Sequence, residues 1–248
     1  MRRLAVLLVL LFASHASVAA PPDAEGCGIA SALVTPTKPL DALKAAIAAR
    51  RDVGILAVGS GATAGGGSIQ AGNAYPIRML EVLKAALPHS DVTVTVRGGR
   101  GLTAVEMLPL VESGLKQISP VVVLWQTGTV EAIRAMRADR MRNALRTGLG
   151  AIRAAGADLV VIDPQFTRAL RANTDLEPYE AELQQVGGLA GANLFHRFEL
   201  TRGWALEGRI DPERAPKEAR ERVLDRLNAC AGEALAHYLL NGVGVAVP

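Results

Sequence analysis

The segment GILAVGSGATAG, residues 54–65, joins an apolar run directly to a glycine-rich turn. A short apolar run bounded by glycines is typical of a buried strand, and α/β enzymes commonly hold a nucleophile in the turn that follows such a strand. The turn contains one serine, Ser60, with a glycine on each side. The segment therefore predicts a strand that leads into a helix, and it raises the question whether Ser60 is a nucleophile.

Further apolar runs follow along the chain, separated by stretches with helical spacing. The runs comprise residues 54–59, 91–96, 120–125, 158–163 and 192–198, and the helical stretches comprise residues 40–51, 75–87, 102–113, 130–155, 173–187 and 215–240. Runs such as VVVLW and LVVID are continuously apolar, as central parallel strands are. Strands that alternate with helices predict a parallel sheet covered on both faces. We therefore predict one α/β domain over residues 40–248, a three-layer α/β/α arrangement with a flavodoxin-like five-stranded parallel sheet.

The first nineteen residues have the layout of a secretory signal peptide. Arg2 and Arg3 precede an apolar run at residues 4–12, and small residues at 16–19 form a cleavage site. The run is shorter than the roughly 20 residues that a spanning helix needs. We predict cleavage after Ala19, a proline-rich extended arm at residues 20–39, and a protein that is exported to the periplasm or secreted, with no membrane span after cleavage.

The composition excludes some partners and leaves the state of the cysteines open. The net charge of +3 is small and aromatic residues make up 4% of the chain, so we expect no nucleic-acid partner. Cys27 and Cys230 form a disulfide in an oxidising compartment or remain two separately buried thiols. Neither cysteine has a second Cys or His at ligand spacing, so we expect no metal site and no cofactor.

Four polar or glycine-rich segments follow the predicted strands. They comprise residues 59–65, 97–104, 126–130 and 163–168. Ligands bind outside the carboxyl ends of the strands in a parallel α/β sheet. Any one of these segments is explained as an ordinary strand-to-helix turn, but four at one edge of the sheet predict a cleft.

Together these segments resemble the SGNH hydrolases, also called the GDSL esterase and lipase family. Residues 59–65 lie without gaps on the family's first block, Gly-Asp-Ser-Leu-Thr-x-Gly. Residues 96–101 lie on the second block, Asn-x-Gly-x-x-Gly, and residues 128–130 lie on the third, Gly-x-Asn. VIDPQF at 161–166 and LFHRFELTRGW at 194–204 are similar to an exported bacterial branch. The resemblance implies the SGNH fold for nearly the whole mature chain.

The same resemblance implies that the catalytic positions are degraded. The family's nucleophilic serine falls on Gly61, and Ser60 takes the place of the preceding aspartate. The two asparagines of the second and third blocks fall on Val96 and Val130, and only the second-block glycine is kept, as Gly101. The stretch at residues 207–230, where the family carries its histidine, contains none. A catalytically impaired or inactive protein is the expectation.

A rearranged site is the alternative. Ser60 as nucleophile, His196 as base and Asp163 at the rim of the cleft would make an active serine esterase for acyl or carbohydrate esters. Each residue also has a structural interpretation, since Ser60 can cap a helix, His196 can lie at a surface edge, and Asp163 can cap the turn that it begins. Nucleotide binding on a flavodoxin-like sheet is a third and weaker hypothesis, because no Walker lysine follows the glycines.

Binding without turnover needs only part of the family's site. The backbone N–H groups of Gly61 and Gly101 are expected at the oxyanion position, where glycine-rich turns at helix N-termini hold anions. Arg97 and Arg100 add positive charge, and Gly128 and Thr129 lie in the third segment. We predict a pocket for an acylated glycan or a small acyl ligand, or a surface for a protein partner.

Overall fold

The computed structural model of the chain describes residues 26–66 and 70–246. The signal peptide and the first residues of the arm lie outside the described residues. The strands are β1 (Val53–Gly59), β2 (Val92–Gly98), β3 (Val122–Gln126), β4 (Asp158–Ile162) and β5 (Ala192–Phe195). The helices are α1 (Asp41–Ala48), α2 (Gly61–Ala64), α3 (Tyr75–Ala86), α4 (Ala104–Ile118), α5 (Thr129–Ile133), α6 (Ala138–Ala154), α7 (Arg168–Asn173), α8 (Glu177–Gly187), α9 (Arg197–Leu206) and α10 (Arg220–Val243).

The strands form one parallel sheet in the order β2-β1-β3-β4-β5. The predicted α/β fold with five parallel strands is confirmed. The chain leaves β1 toward one edge, to β2, and then crosses to the other side, to β3. A crevice forms where the strand order reverses in this way. The carboxyl ends of β1 and β3 therefore border the crevice, and Ser60 and Gln126 stand at those ends.

Alternate residues of β1 divide the core into two halves. Ile55 and Ala57 belong to the apolar cluster under α1, α3 and α10, whereas Leu56 and Val58 belong to the cluster under α4, α6 and α8. Side chains of a strand alternate between the two faces of the sheet. Because both faces are covered by helices, every residue of this strand has to be apolar or small, which is the pattern that the sequence shows.

Several predicted boundaries are wrong. The predicted helix at 130–155 is two helices, α5 and α6, separated at Ala135, whose φ of 48° cannot continue a helix. The predicted helix at 173–187 begins later, as α8, and a separate short helix, α7, precedes it. The last helix begins at Arg220, after Pro216. The arm is not extended throughout, since residues 31–34 form a 3-10 helix.

The fifth strand ends at Phe195, three residues earlier than predicted, and α9 begins directly after His196. Asp163, at the end of β4, explains this ending. Its Oδ1 accepts a hydrogen bond from the backbone N–H of Phe198 at 2.7 Å, so a carboxylate from another strand satisfies one of the free N–H groups of the first turn. Asp163 therefore caps α9, and not the turn that it begins.

The disulfide interpretation of the cysteines is confirmed. Cys27 is bonded to Cys230, and the bond ties the N-terminal segment to the buried face of α10. Within the two described ranges, no helix is long and apolar enough to cross a membrane.

Candidate ligand-binding cleft

A cavity of about 800 Å³ lies outside the carboxyl ends of β1 and β3. Its wall combines the turn after β1, the end of β3, the segment after β4 with α7, and the start of α9. The lining residues include Ser60, Gly61, Ala62, Arg100, Gln126, Thr129, Ile133, Gln165, Thr167, Leu170, Asn173 and Arg197. The cleft predicted from the four segments therefore contains residues from each of them.

Ser60 lines the cavity but is held by a side chain of the neighbouring strand. The residue is 8% exposed, and its Oγ donates a hydrogen bond to Oε1 of Gln126 at 2.9 Å. Ser60 occupies the N-cap position of α2, yet its side chain makes no capping hydrogen bond. The expectation that Ser60 caps this helix is therefore wrong, because its hydroxyl is directed to Gln126 of β3 and accepts from no N–H group of α2.

The orientation of the Gln126 amide follows from its partners. Its Oε1 also faces the backbone N–H of Ser60 at 3.2 Å and Oγ1 of Thr63 at 3.3 Å. A backbone N–H only donates, so the atom that faces it must be the amide oxygen. The amide nitrogen is then turned away from this network, in a residue that lines the cavity. Gln126 thus has its acceptor committed to the β1 turn and its donor available to a ligand.

Gly61 stands at the first position of α2, beside Arg100. A Cβ at this glycine would meet nothing closer than Arg100, at 3.7 Å. The first N–H groups of a helix have no intrahelical partner, and Gly61 and Ala62 both line the cavity. The geometry suits a hydrogen-bond acceptor on the ligand, at the position where the family places its nucleophile and oxyanion donor.

The other predicted ligand residues divide between the cavity and its surroundings. Thr129 and Arg100 line the cavity, and Gly101 lines an adjoining cavity of about 280 Å³ together with Ser60, Gly61 and Arg100. Gly128 lines neither cavity, and its N–H donates to Glu131 at 3.0 Å. The Arg97 guanidinium binds Ser113 and Gln117 of α4, and Arg97 lines neither cavity.

His196 and Asp163 lie together, in a separate place. Both line a small cavity of about 60 Å³ beside Glu180 and Glu199, and Nδ1 of His196 is 3.7 Å from Oδ2 of Asp163. Burial raises the pKa of Asp163 above its ordinary value. The adjacent Asp163 carboxylate raises the pKa of His196. The structure therefore pairs His196 with Asp163 but places neither among the residues that line the cavity of Ser60.

The raised pKa of His196 gives a pH-dependent stability. A folded-state pKa above the usual value of about 6.5 adds stability that is full below that pH and is lost as the pH rises through the folded pKa. We expect His196→Gln to cost most in unfolding free energy at about pH 5.5 and least above pH 8. The cost should stay under about 1 kcal/mol, because the ring is 42% exposed and solvent screens the pair.

Urea unfolding at several pH values measures this difference, and His237→Gln is the matched control. Burial lowers the pKa of His237, so its contribution should change with pH in the opposite direction. A cost of His196→Gln that stays constant between pH 5.5 and pH 8 would contradict the prediction.

The sequence analysis missed Arg197. This residue lines the cavity and is 1% exposed. Its Nη2 donates to Oε1 of Gln165 at 2.6 Å, and its Cζ lies 4.6 Å from the centroid of the Tyr75 ring. An arginine in the predicted strand LFHRFEL was the available signal, because a cation in a buried segment needs an explanation. No group of His, Cys, Asp and Glu side chains suited to a metal ion occurs in the described ranges.

Comparisons with known proteins agree with this fold. The model of the Non-GDSL lipase-like family matches residues 26–245. A search of curated proteins returns no match. The psychrotrophic esterase EstA from Pseudoalteromonas sp. is 19% identical, with a TM-score of 0.52, and the match covers 70% of this chain and 93% of that chain.

Two further solved structures are similar. AlinE4, an SGNH-hydrolase family esterase, is 17% identical, with a TM-score of 0.52, over 62% of this chain and 79% of that chain. CEX, a two-domain esterase active on acetylated mannans and co-crystallised with mannopentaose, is 15% identical, with a TM-score of 0.65, over 86% of this chain and 56% of that chain. At these identities the structures show a shared fold, and they confirm the resemblance to SGNH hydrolases.

Proposed function

The chain belongs to the Non-GDSL lipase-like family, and we propose that it is an exported protein whose cleft binds an acyl or carbohydrate ligand without hydrolysing it. The fold and the cleft of a hydrolase are kept. The protein would lack the proton transfer from serine to a base on which hydrolysis by a serine depends.

One observation carries the proposal: within the described part of the chain, no histidine, aspartate or glutamate lines the cavity that contains Ser60. A serine hydroxyl is a poor nucleophile until a base within hydrogen-bond reach takes its proton. The hydrogen-bond acceptor of the Ser60 hydroxyl is the amide oxygen of Gln126, which is not basic at neutral pH. The family's nucleophile and oxyanion positions are Gly61 and Val130, which have no side-chain group to replace those functions.

The wall of the cavity supports a ligand with both polar and apolar parts. Free N–H groups at the start of α2 and the amide of Gln126 offer donors. Ile133, which is 64% exposed, and Leu170 offer apolar surface beside them. A volume of about 800 Å³ is in the range of ligand sites. Because CEX is active on acetylated mannans, an acylated glycan is the first ligand to test. The disulfide supports export, since such bonds persist in oxidising compartments.

Hydrolysis of an activated acetate ester and of an acetylated manno-oligosaccharide tests the absence of turnover. We expect the purified protein and its Ser60→Ala variant to match the buffer blank with both substrates. The variant should lose about 1 kcal/mol of unfolding free energy, the usual net value of one hydrogen bond. Turnover that disappears in Ser60→Ala would contradict the proposal and establish an esterase with a relocated nucleophile.

Calorimetric titration with the acetylated manno-oligosaccharide tests binding. Gly61→Leu should weaken binding strongly, because Gly61 and Arg100 both line the cavity and a bulky side chain between them takes up space there. Gly61→Ala is the matched control, and it should retain binding, since a Cβ meets no atom closer than 3.7 Å. Equal binding by both variants would place the ligand elsewhere.

A further inference from the structure

Arg197 brings a buried positive charge to the wall of the cavity. It is the first residue of α9, it is 1% exposed, and it lines the cavity together with Gln165 and Gln126. Removing a guanidinium from water costs several kcal/mol unless other groups replace the lost hydrogen bonds. The hydrogen-bond partners of Arg197 therefore indicate whether its role is structural or lies in ligand binding.

The described residues leave the guanidinium incompletely satisfied. A guanidinium has five N–H donors, and Nη2 uses one of them on Gln165. The contact with the Tyr75 ring supplies no lone pair for the others. Nε and Nη1 are buried and have no hydrogen-bond partner in the described ranges. Arg197 thus keeps donors that no atom of the described residues accepts.

No carboxylate neutralises the charge directly. Among the described residues Arg197 forms no ion pair. Asp163 acts on it through space, but the Asp163 carboxylate is already occupied by the Phe198 N–H and by His196. A buried cation beside an open cavity, with no carboxylate in contact with it, attracts an anion.

The rest of the cavity wall agrees with a single negative charge. The polar side chains near Arg197 are neutral ones from Gln126, Gln165, Thr167 and Asn173, and Arg100 stands at the exposed rim. One buried guanidinium balances one charge, and the second cation of the wall, Arg100, is exposed, so solvent screens its charge. A carboxylate is planar, carries one charge, and accepts two hydrogen bonds from an arginine.

We propose that Arg197 recognises a carboxylate on the ligand of this cavity. The inference rests on the proposed function insofar as that function places a ligand in the cleft, and it names the chemical class: an organic acid whose sugar or alkyl body lies along the remaining wall. Arg197 binds the carboxylate of the ligand, and the sugar or alkyl body of the ligand contacts Ile133 and Leu170.

Titration calorimetry at low ionic strength with two pairs of compounds tests this assignment. Hexanoate and glucuronate are the acids, and hexanamide and glucose are their uncharged counterparts. We expect at least one acid to bind more tightly than its counterpart, and which acid binds distinguishes an alkyl from a sugar body. Arg197→Met should weaken acid binding about 10- to 150-fold, the value of a hydrogen bond to a charged group. Arg100→Met, at the exposed rim, should weaken it less than about threefold.

The melting temperature separates recognition from a structural role. Arg197→Met should melt at or above the wild-type temperature, because replacing an unpaired buried charge with an apolar side chain is neutral or stabilising. If this variant does not fold, Ala169→Asp takes its place. Ala169 is exposed and lines the cavity, so a negative charge there should weaken the binding of the acids more than the binding of glucose.

Several outcomes would overturn the proposal. One is equal acid binding by the wild type and Arg197→Met. Others are the absence of acid binding and the absence of a preference for either acid over its uncharged counterpart. The last is Arg197-dependent binding of hexyl phosphate that is tighter than the binding of hexanoate. The experiments distinguish failure of this inference from failure of the proposed function. Ester hydrolysis with intact acid binding removes only the proposed function, and binding of uncharged ligands without acids removes only this inference.

Discussion

Replacing Cys27 and Cys230 together by alanine should lower the unfolding free energy by about 3–5 kcal/mol. The bond joins residues 203 positions apart, so it closes most of the chain into one loop. A cross-link over a long loop restricts the unfolded chain and raises its free energy relative to the native state. Few single changes elsewhere in a domain of this size should have an effect as large.

The native contacts of the N-terminal segment explain why the loss should appear as reduced stability and not as a different fold. Asn241 donates a hydrogen bond to the carbonyl of Val34 at 2.8 Å, and the backbone N–H of Leu40 donates to Gly242 at 3.3 Å. These contacts hold the segment on α10 without the bond. The folded state of the variant should therefore be similar to that of the wild type, and the unfolded chain should gain freedom.

Urea unfolding with and without a reducing agent measures the effect. The reduced wild-type protein should match the double variant, and the reducing agent should not change the variant. Ala234→Ser, at another buried position of α10, shows how much a small change inside this helix costs by itself. A wild-type midpoint that does not move on reduction would contradict the prediction. A large effect would also support export, because a protein that depends on this bond needs an oxidising compartment.

The fold could be predicted from the sequence because its signals are local. Val58 and Trp125 lie in short runs that are apolar throughout, as strands buried on both faces are. The ending of β5 could not be predicted, because it depends on Asp163, which is 35 residues away in sequence and caps α9 from another strand. A local pattern contains no information about such a contact.

The site was predicted in position but not in hydrogen bonding. The glycine-rich turn correctly locates Ser60 at the cleft, whereas no local pattern shows that the amide oxygen of Gln126, on another strand, accepts from the Ser60 hydroxyl. Arg197 was missed because it was counted as part of a strand. When α9 begins at this residue, its side chain is directed to the cavity wall. The direction of a side chain depends on the conformation of the backbone, and the local sequence does not show where β5 ends and α9 begins.

Gly98→Ala should lower the unfolding free energy by about 2–6 kcal/mol, the sum of backbone strain and overpacking. Gly98 ends β2 opposite Gly59, with φ at +138°. A Cβ there would lie 1.9 Å from the carbonyl oxygen of Gly59. Both obstacles are backbone atoms or backbone angles, so no rotation of a side chain relieves them. The ends of β1 and β2 would have to separate.

This separation should also reach the cleft, because Ser60 follows Gly59 directly. We expect Gly98→Ala to bind ligand more weakly than the wild type even under conditions where it is still folded. Gly99→Ala is the matched control, since its Cβ would meet only the side chain of Leu102, at 3.9 Å, and its cost should stay within about 1 kcal/mol. Urea unfolding and calorimetric titration of both variants measure the two effects. Equal stability of the two variants would show that β1 and β2 can part at this point without cost, and the close approach of Gly98 to Gly59 would then not hold the turn of Ser60 in place.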